Sequence, residues 1–301
     1  MIENGFPYSD KYHNYLEVEL NLAESTVKSY MREISVFASW AEENFFAQGF
    51  ASEQLETCHI RRYLAHLKNQ QGNGSATRNR KLAALKSYYA FLYLHEYITG
   101  ESPVHCVKRA KEPKPLPVYL TLEEAKALLK ASRIKSRMPE RDYAMVNFLL
   151  LTGCRSGELI DLRVEDVDFK DRAVRFMGKG SKERLVPLTG RTIQALENYL
   201  AVRKPATGHI RNLFLSNKGT PVAGNTLRRI IQRSCREAAI TKPYLSTIKM
   251  RHTCLTLLLK ENVDLVILKE IAGHKTIRTT VRYTHVAQNE LREAIKKHPL
   301  G

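Results

Sequence analysis

Apolar positions recur at helical spacing along most of the chain. Tyr12, Tyr15 and Leu16, then Val27, Tyr30, Met31, Ile34, Phe37 and Trp40, predict helix across residues 8 to 50, with Glu24-Ser25-Thr26 as a capping stretch before the second run. Ile60, Leu64 and Leu67, then Leu82, Leu85, Tyr88 and Tyr89, predict two amphipathic helices on either side of a Gly72-Asn73-Gly74-Ser75 turn. Pro113, Pro115 and Pro117 stand at alternate positions, which forbids helix and predicts an extended connector. The boundary between two domains falls there: a helical domain over residues 1–110, a linker over 111–117 and a second domain over 118–301.

In the second domain, Thr121 with Glu124 three residues on forms a capping box, followed by a helix from Leu122 to about Ala131 and another from Glu140 to Leu151. Gly153 ends the latter, and Ser156-Gly157-Glu158 can start the next. The only β signal is short: Asp166–Phe169, Ala173–Met177 and Arg184–Leu188, separated by Lys170-Asp171 and by Gly178-Lys179-Gly180-Ser181-Lys182. Helices follow over Thr192–Val202 and within Pro221–Ala239, where Leu227, Ile230 and Ile231 form the apolar stripe. Arg228, Arg229, Arg233 and Arg236 lie off that stripe, as a solvated face or as a helix laid along a polyanion. Leu255, Leu258 and Leu259 mark another helix opened by Arg251 and His252. Asp264 is an N-cap and Gly273 a C′ residue for a short helix carrying Leu265, Leu268 and Ile271. Leu291 and Ile295 mark a short tail helix over Asn289–Lys297. The fold class is therefore mainly α: an all-helical N-terminal domain, then a mainly helical one with a small antiparallel sheet.

Composition changes the picture in one respect. The net charge is +17 and the pI about 9.7, which fits a polyanion partner. No amphipathic helix pairs a basic face with exposed aromatics, so nucleic acid is favoured over anionic lipid. The apolar fraction of 43% suffices for a core, and no apolar run approaches the roughly 18 residues of a membrane span. The N-terminus has no basic and apolar regions of a secretory signal. Cys58, Cys106, Cys154, Cys235 and Cys254 are odd in number, scattered and without a CxxC pair. That argues against a disulfide framework or zinc site and for a reducing cytoplasm; the expected localisation is cytoplasmic, associated with the nucleoid.

Charge is also unevenly placed. Between Glu56 and Glu96 there is no acid, and Arg61, Arg62, Lys68, Arg78, Arg80, Lys81 and Lys86 are interleaved with apolar positions. For any single arginine a solvated helix face is the plainer reading; the seven together favour phosphate contacts. Near the C-terminus, Arg251, His274 and Tyr283 sit on separate small elements. Tyr283 follows His274 by nine positions, which would set them on opposite sides of one helix, so they converge only if the chain bends. Phosphoryl transfer in DNA needs bidentate donors for the non-bridging oxygens, an in-line nucleophile and a general acid for the departing 5′-hydroxyl. The chain shows no Asp, Glu and His cluster for magnesium but is rich in Arg and His.

The segments TGCRSGELIDL, GKGSKERLVPL, MRHT and AGHKTIRTTVRYTHV, in that order, resemble the tyrosine recombinase (phage integrase and Xer) family over nearly the whole chain. The resemblance implies a helical core-binding domain followed by a catalytic domain. Matched by motif, it implies that Arg155 and Arg251 are the catalytic arginines, Glu158 the supporting acid and Lys179 the general acid. It likewise makes His274 the ligand of the scissile phosphate and Tyr283 the nucleophile, which forms a 3′-phosphotyrosine bond. Lys182 in the same glycine-rich turn and Arg228 and Arg229 join the expected DNA contacts. Each residue has a plainer alternative: an Arg155–Glu158 salt bridge, a helix-capping His274, a core Tyr283. The family acts on double-stranded DNA sites as a tetramer with no metal or nucleotide cofactor, and here accessory proteins are not implied. The chain begins directly with the core-binding domain, as in Xer proteins and simple transposon recombinases.

One position departs from the family. Where a histidine usually stands three residues before the second arginine, this chain has Ile248. Its side chain either points toward the scissile phosphate or packs in the core. Two rival readings remain at this point: a type IB topoisomerase, which uses the same chemistry on one duplex, and a sequence-specific DNA-binding protein whose site has decayed, which Ile248 alone favours.

Overall fold

The computed structural model describes residues 6–46, 49–113, 118–177, 183–243, 245–274, 276 and 280. The chain divides into two compact units, Met1–Pro115 and Leu116–Gly301.

In the first unit, α1 (Ser9–Asn14) runs into a π-helical turn, Tyr15–Glu19. The chain then breaks at Asn21, which takes φ +46, before α2 (Glu24–Phe45). The expected cap is displaced by one residue: Ala23, in extended conformation and without a side-chain bond, precedes α2, and Glu24-Ser25-Thr26 form its first turn. Next come α3 (Thr57–Asn69) and α4 (Ser75–Leu94), on either side of the glycine turn as the pattern predicts. Helix α4 buries Leu82, Ala84, Leu85, Tyr88, Tyr89, Phe91 and Leu92, too many directions for one stripe. It is a central helix, covered by its neighbours on more than one side. Much of this core is aromatic, and two of its buried hydroxyls reach distant carbonyls: Tyr88 Oη donates to Pro7 at 2.7 Å and Tyr89 Oη to Ser52 at 3.0 Å.

In the second unit the capping box forms as its spacing predicts. Thr121 N–H donates to Glu124 Oε2 at 2.7 Å, and Glu124 N–H to Thr121 Oγ1 at 3.2 Å, opening α5 (Leu122–Ala131). Helix α6 (Pro139–Thr152) is buried along almost its full length through Ala144, Met145, Val146, Phe148, Leu149 and Leu150. Truncating a ring as buried as Phe148 typically costs about 3–5 kcal/mol. After α7 (Ser156–Asp161) come β1 (Val167–Asp168), β2 (Ala173–Met177) and β3 (Glu183–Pro187), an antiparallel sheet in the order β1-β2-β3. Helices α8 (Gly190–Val202), α9 (Gly224–Glu237), α10 (Thr247–Lys260) and α11 (Leu265–Ala272) complete it. Helix α6 packs against α8 and α10, so its C-terminal end lies beside the start of α10. The expected tail helix, Asn289–Lys297, lies outside the described residues. Among the described residues, no helix is long and apolar enough to cross a membrane.

Candidate active site

The site is built where α6, α7, α10, α11 and β3 meet. Helix α6 stops at Gly153, which takes φ +59; a Cβ there would also lie 3.2 Å from Cys254 Sγ, so both backbone and space call for glycine. Two residues on, Arg155 is the N-cap of α7. Its backbone N–H donates to Glu158 Oε2 at 2.7 Å and its Nη1 to Glu158 Oε1 at 2.8 Å. Its Nη2 crosses to the Gly273 carbonyl at 2.9 Å. Arg251, on the first turn of α10, is buried; Nη1 donates to the Gly153 carbonyl at 2.7 Å and Nη2 to the Ala272 carbonyl.

Helix α11 is shaped to receive these groups. Asp264 caps it, accepting from Val266 N–H at 2.7 Å, and Gly273 ends it at φ +60. The last carbonyls of a helix have no partner within it and carry its negative partial charge. Here Ile271, Ala272 and Gly273 each accept from a different guanidinium: Arg184 Nε at 3.2 Å, Arg251 Nη2 and Arg155 Nη2. His274 follows immediately, and its Nδ1 lies 3.0 Å from Thr280 Oγ1. Burial, then the charges of Arg251 and Arg155, push the His274 pKa down to about 4, so the imidazole is neutral at pH 7.

Arg184 is the member that the sequence reading missed. On β3 its Nη1 and Nη2 donate to Glu158 Oε1 and Oε2 at 2.8 and 2.7 Å, and its guanidinium lies 4.5 Å from the centre of the Phe176 ring. A signal was available. Along β3 Arg184 shares the inward face with Val186, while Leu185 faces out at 72% exposure. An arginine on the apolar side of a strand survives only with partners. Burial acts to raise the Glu158 pKa, but the bonds from Arg184 and from the Arg155 backbone outweigh it and hold the carboxyl below its usual range. Three guanidiniums converge here beside a neutral imidazole, a set of forked donors suited to an anion.

The structure therefore brings together Arg155, Glu158, Arg251 and His274. Lys179, Lys182 and Tyr283 lie outside the described residues. Ile248 is 62% exposed on the first turn of α10, three residues before Arg251, which rules out the core-packing alternative. Of the bases read as DNA contacts, Arg61, Arg228 and Arg229 are exposed, Lys86 is half-buried, and Arg62 is exposed with its guanidinium 5.2 Å from the centre of the Phe45 ring. Arg78 donates to the Asn73 carbonyl. Arg80 and Lys81 are both ion-paired to Glu33 of α2, Arg80 at 3.1 Å. The stretch without acids is thus not acid-free in space, because α2 supplies one. On α9, Arg233 pairs with Asp142 at 2.7 Å, and with Arg229 and Arg236 it lines a recess of about 520 Å³ that Lys135 and Arg137 also border.

Residues 118–290 match the profile of the phage integrase family, and residues 10–96 match that of the phage integrase N-terminal SAM-like domain. The chain belongs to the phage integrase family and is a tyrosine site-specific recombinase of the Xer and integrase type, as its motifs indicate. The tyrosine recombinase XerC of Myxococcus xanthus is 34% identical over 302 residues, covering 97% of this chain and 98% of that one. The crystal structure of XerA recombinase is similar at 28% identity and a TM-score of 0.54, covering 97% of this chain and 98% of that chain. XerH site-specific recombinase bound to a palindromic difH substrate, a post-cleavage complex, shares the fold at a TM-score of 0.74 and 20% identity. That match covers 96% of this chain and 84% of XerH.

Proposed function

We propose that Arg155 and Arg251, beside the end of α11, hold the scissile phosphate of a double-stranded DNA recombination site, and that Tyr283 attacks it. The observation that carries the reading is the convergence of Arg155, Arg251 and His274 on three successive residues, Ala272 to His274. Arg155 is 47% exposed, so its guanidinium can exchange the Gly273 carbonyl for a phosphate oxygen. Arg251 and the neutral His274 supply further donors to the non-bridging oxygens, where charge grows in the transition state. Tyr283 Oη forms a bond to phosphorus as the bond to the 5′-oxygen breaks; Lys179 gives that oxygen its proton, leaving a 3′-phosphotyrosine and a 5′-hydroxyl. A 5′-hydroxyl from the second duplex reverses the step and reseals the strand. Energy is kept in the phosphotyrosine ester, so the cycle needs no nucleotide.

The domain assignment follows: residues 1–110 grip the core site, 111–117 link, and 118–301 cleave. The exposed Arg61, Arg228 and Arg229 carry phosphate contacts. Exchange between two duplexes calls for a homotetramer on DNA, acting in the cytoplasm at the nucleoid. The test is a nicked suicide substrate that traps covalent protein–DNA. The native chain should give an adduct mapping to Tyr283, and Tyr283→Phe none, with half-site binding retained. An adduct formed by Tyr283→Phe contradicts the assignment.

A further inference from the structure

We propose that Arg184 is a positioning residue of the cleavage site: by gripping Glu158 with both terminal nitrogens and the Ile271 carbonyl with Nε, it fixes Arg155 and the end of α11 in the arrangement that receives the phosphate. The inference rests on the reading of Arg155, Arg251 and Tyr283 given above.

Every nitrogen of Arg184 is engaged with the protein, the ring of Phe176 lies against its face, and its side chain is 11% exposed. It is thus placed to organise the site rather than to meet DNA. Three connections run through it. Glu158, held by Arg184, in turn holds the Nη1 and the backbone N–H of Arg155. The Nε bond reaches α11 two residues before Gly273, whose carbonyl Arg155 uses. A Cβ at Gly273 would lie 3.1 Å from Arg184 Cδ and Nη1, so a side chain there would press on Arg184 in addition to straining the backbone at its φ. A lysine at 184 would keep one charge but not the forked grip on a carboxylate together with a third, lateral bond.

The groups facing Glu158 set its titration. Arg155 lies on its own helix start, Arg184 on β3, and the nearby Cys154 thiol is pushed up to about 12 by burial and stays neutral. On its open side Asp161, Asp166, Arg175 and Glu183 border a shared recess. Removing Arg184 leaves Glu158 with Arg155 alone among these direct partners, so it takes up a proton at higher pH and releases Arg155.

The experiment is single-turnover cleavage of the suicide substrate by the full chain across pH 5 to 9. It compares the native protein, Arg184→Met, Glu158→Gln and the double variant, with half-site affinity measured alongside. Methionine keeps a long side chain over Phe176 without donors. Arg184→Met is expected to slow cleavage about 10–100-fold, within the range of losing a transition-state donor or its support. It should also make the fall toward acid pH steeper than in the native profile, and that extra steepness should vanish in the double variant. The double variant should be little slower than Glu158→Gln, because residues acting through one another are not additive. Half-site affinity should stay within about 3-fold, less than 1 kcal/mol. Additive losses, or a profile unchanged in shape, overturn the proposal. Should Arg184→Met not fold, Arg184→Lys is read by the same steepening toward acid pH. Native protein that forms no adduct at Tyr283 counts against the cleavage reading itself, an outcome distinct from these.

Discussion

At the start of α6, Asp142 is fully buried and accepts from Arg141 Nε and Nη2 at 2.9 and 2.7 Å, from Arg233 Nη2 at 2.7 Å and from Ser136 Oγ at 2.6 Å. Beyond the other end of the same helix, Glu158 accepts from Arg155 and Arg184 at similar distances. Both clusters are a carboxylate between two arginines. They differ in what the remaining donors meet. Arg141 sends Nη1 to the Leu215 carbonyl and is 8% exposed, and Arg233 Nη2 also donates to the Ser132 carbonyl while its buried Nε makes no hydrogen bond. Those donors end inside the protein, so the cluster pins α9 to α6. Near Glu158 a third guanidinium, Arg251, converges on the end of α11, and Arg155 is 47% exposed. The residue types are the same. An open donor edge sets Arg155 apart from the arginines that hold the fold.

The largest expected effect is at that open edge. Arg155→Ala should lower single-turnover cleavage by about 10²–10³-fold, the usual loss for one transition-state donor, with half-site affinity changed only a few-fold. A loss below 10-fold would place Arg155 with the structural arginines.

Ile248→His comes next. Because Ile248 is 62% exposed, a histidine there buries no unsatisfied polar group and should leave the melting temperature unchanged. Tyrosine has an unperturbed pKa near 10, so without a base little tyrosinate exists at neutral pH. Cleavage by the native chain should therefore climb above pH 7, and Ile248→His should raise the neutral rate and flatten the climb. General acid–base assistance of about 10²–10⁴-fold caps the gain. A variant equally stable but no faster at any pH shows that the proton is taken elsewhere.

The smallest effect concerns His274. Its folded pKa, about 4, lies below the ordinary histidine value, so the folded state binds fewer protons than the unfolded chain between them. The contribution to stability is present above about pH 6.5 and is lost as pH falls toward 4. The difference in melting temperature between native protein and His274→Gln should shrink across that window. A difference independent of pH would mean that His274 titrates normally.

Much of this was legible in sequence because it rests on local rules. The Thr121 capping box, Gly153 and Gly273 as helix ends, and Asp264 as a cap each declare themselves within four residues. The motifs carried Arg155, Glu158, Arg251 and His274. What sequence did not convey were the long-range partners. Arg184 meets a carboxylate 26 positions earlier and a carbonyl 87 positions later, and Glu33 reaches Arg80 and Lys81 47 and 48 positions away. No periodicity encodes such pairs. Only the inward parity of Arg184 on β3 hinted at one. Ile248 was ambiguous for a related reason, since an apolar residue in a first helical turn suits either a core or a surface until its neighbours are known.

The most direct test of the contrast between the two carboxylates is to neutralise each in turn, Glu158→Gln and Asp142→Asn, and to measure thermal melting and suicide-substrate cleavage on both. Breaking a buried pair costs about 3–5 kcal/mol, so Asp142→Asn should lower the melting temperature by about 10 °C while the folded protein at low temperature cleaves within about 3-fold of native. Glu158→Gln also breaks a nearly buried pair, with side chains 10% and 11% exposed, so it should melt lower as well, but it should cleave about 10–100-fold more slowly. Equal loss of cleavage in the two variants, or a Glu158→Gln protein that is destabilised but cleaves normally, would contradict the account.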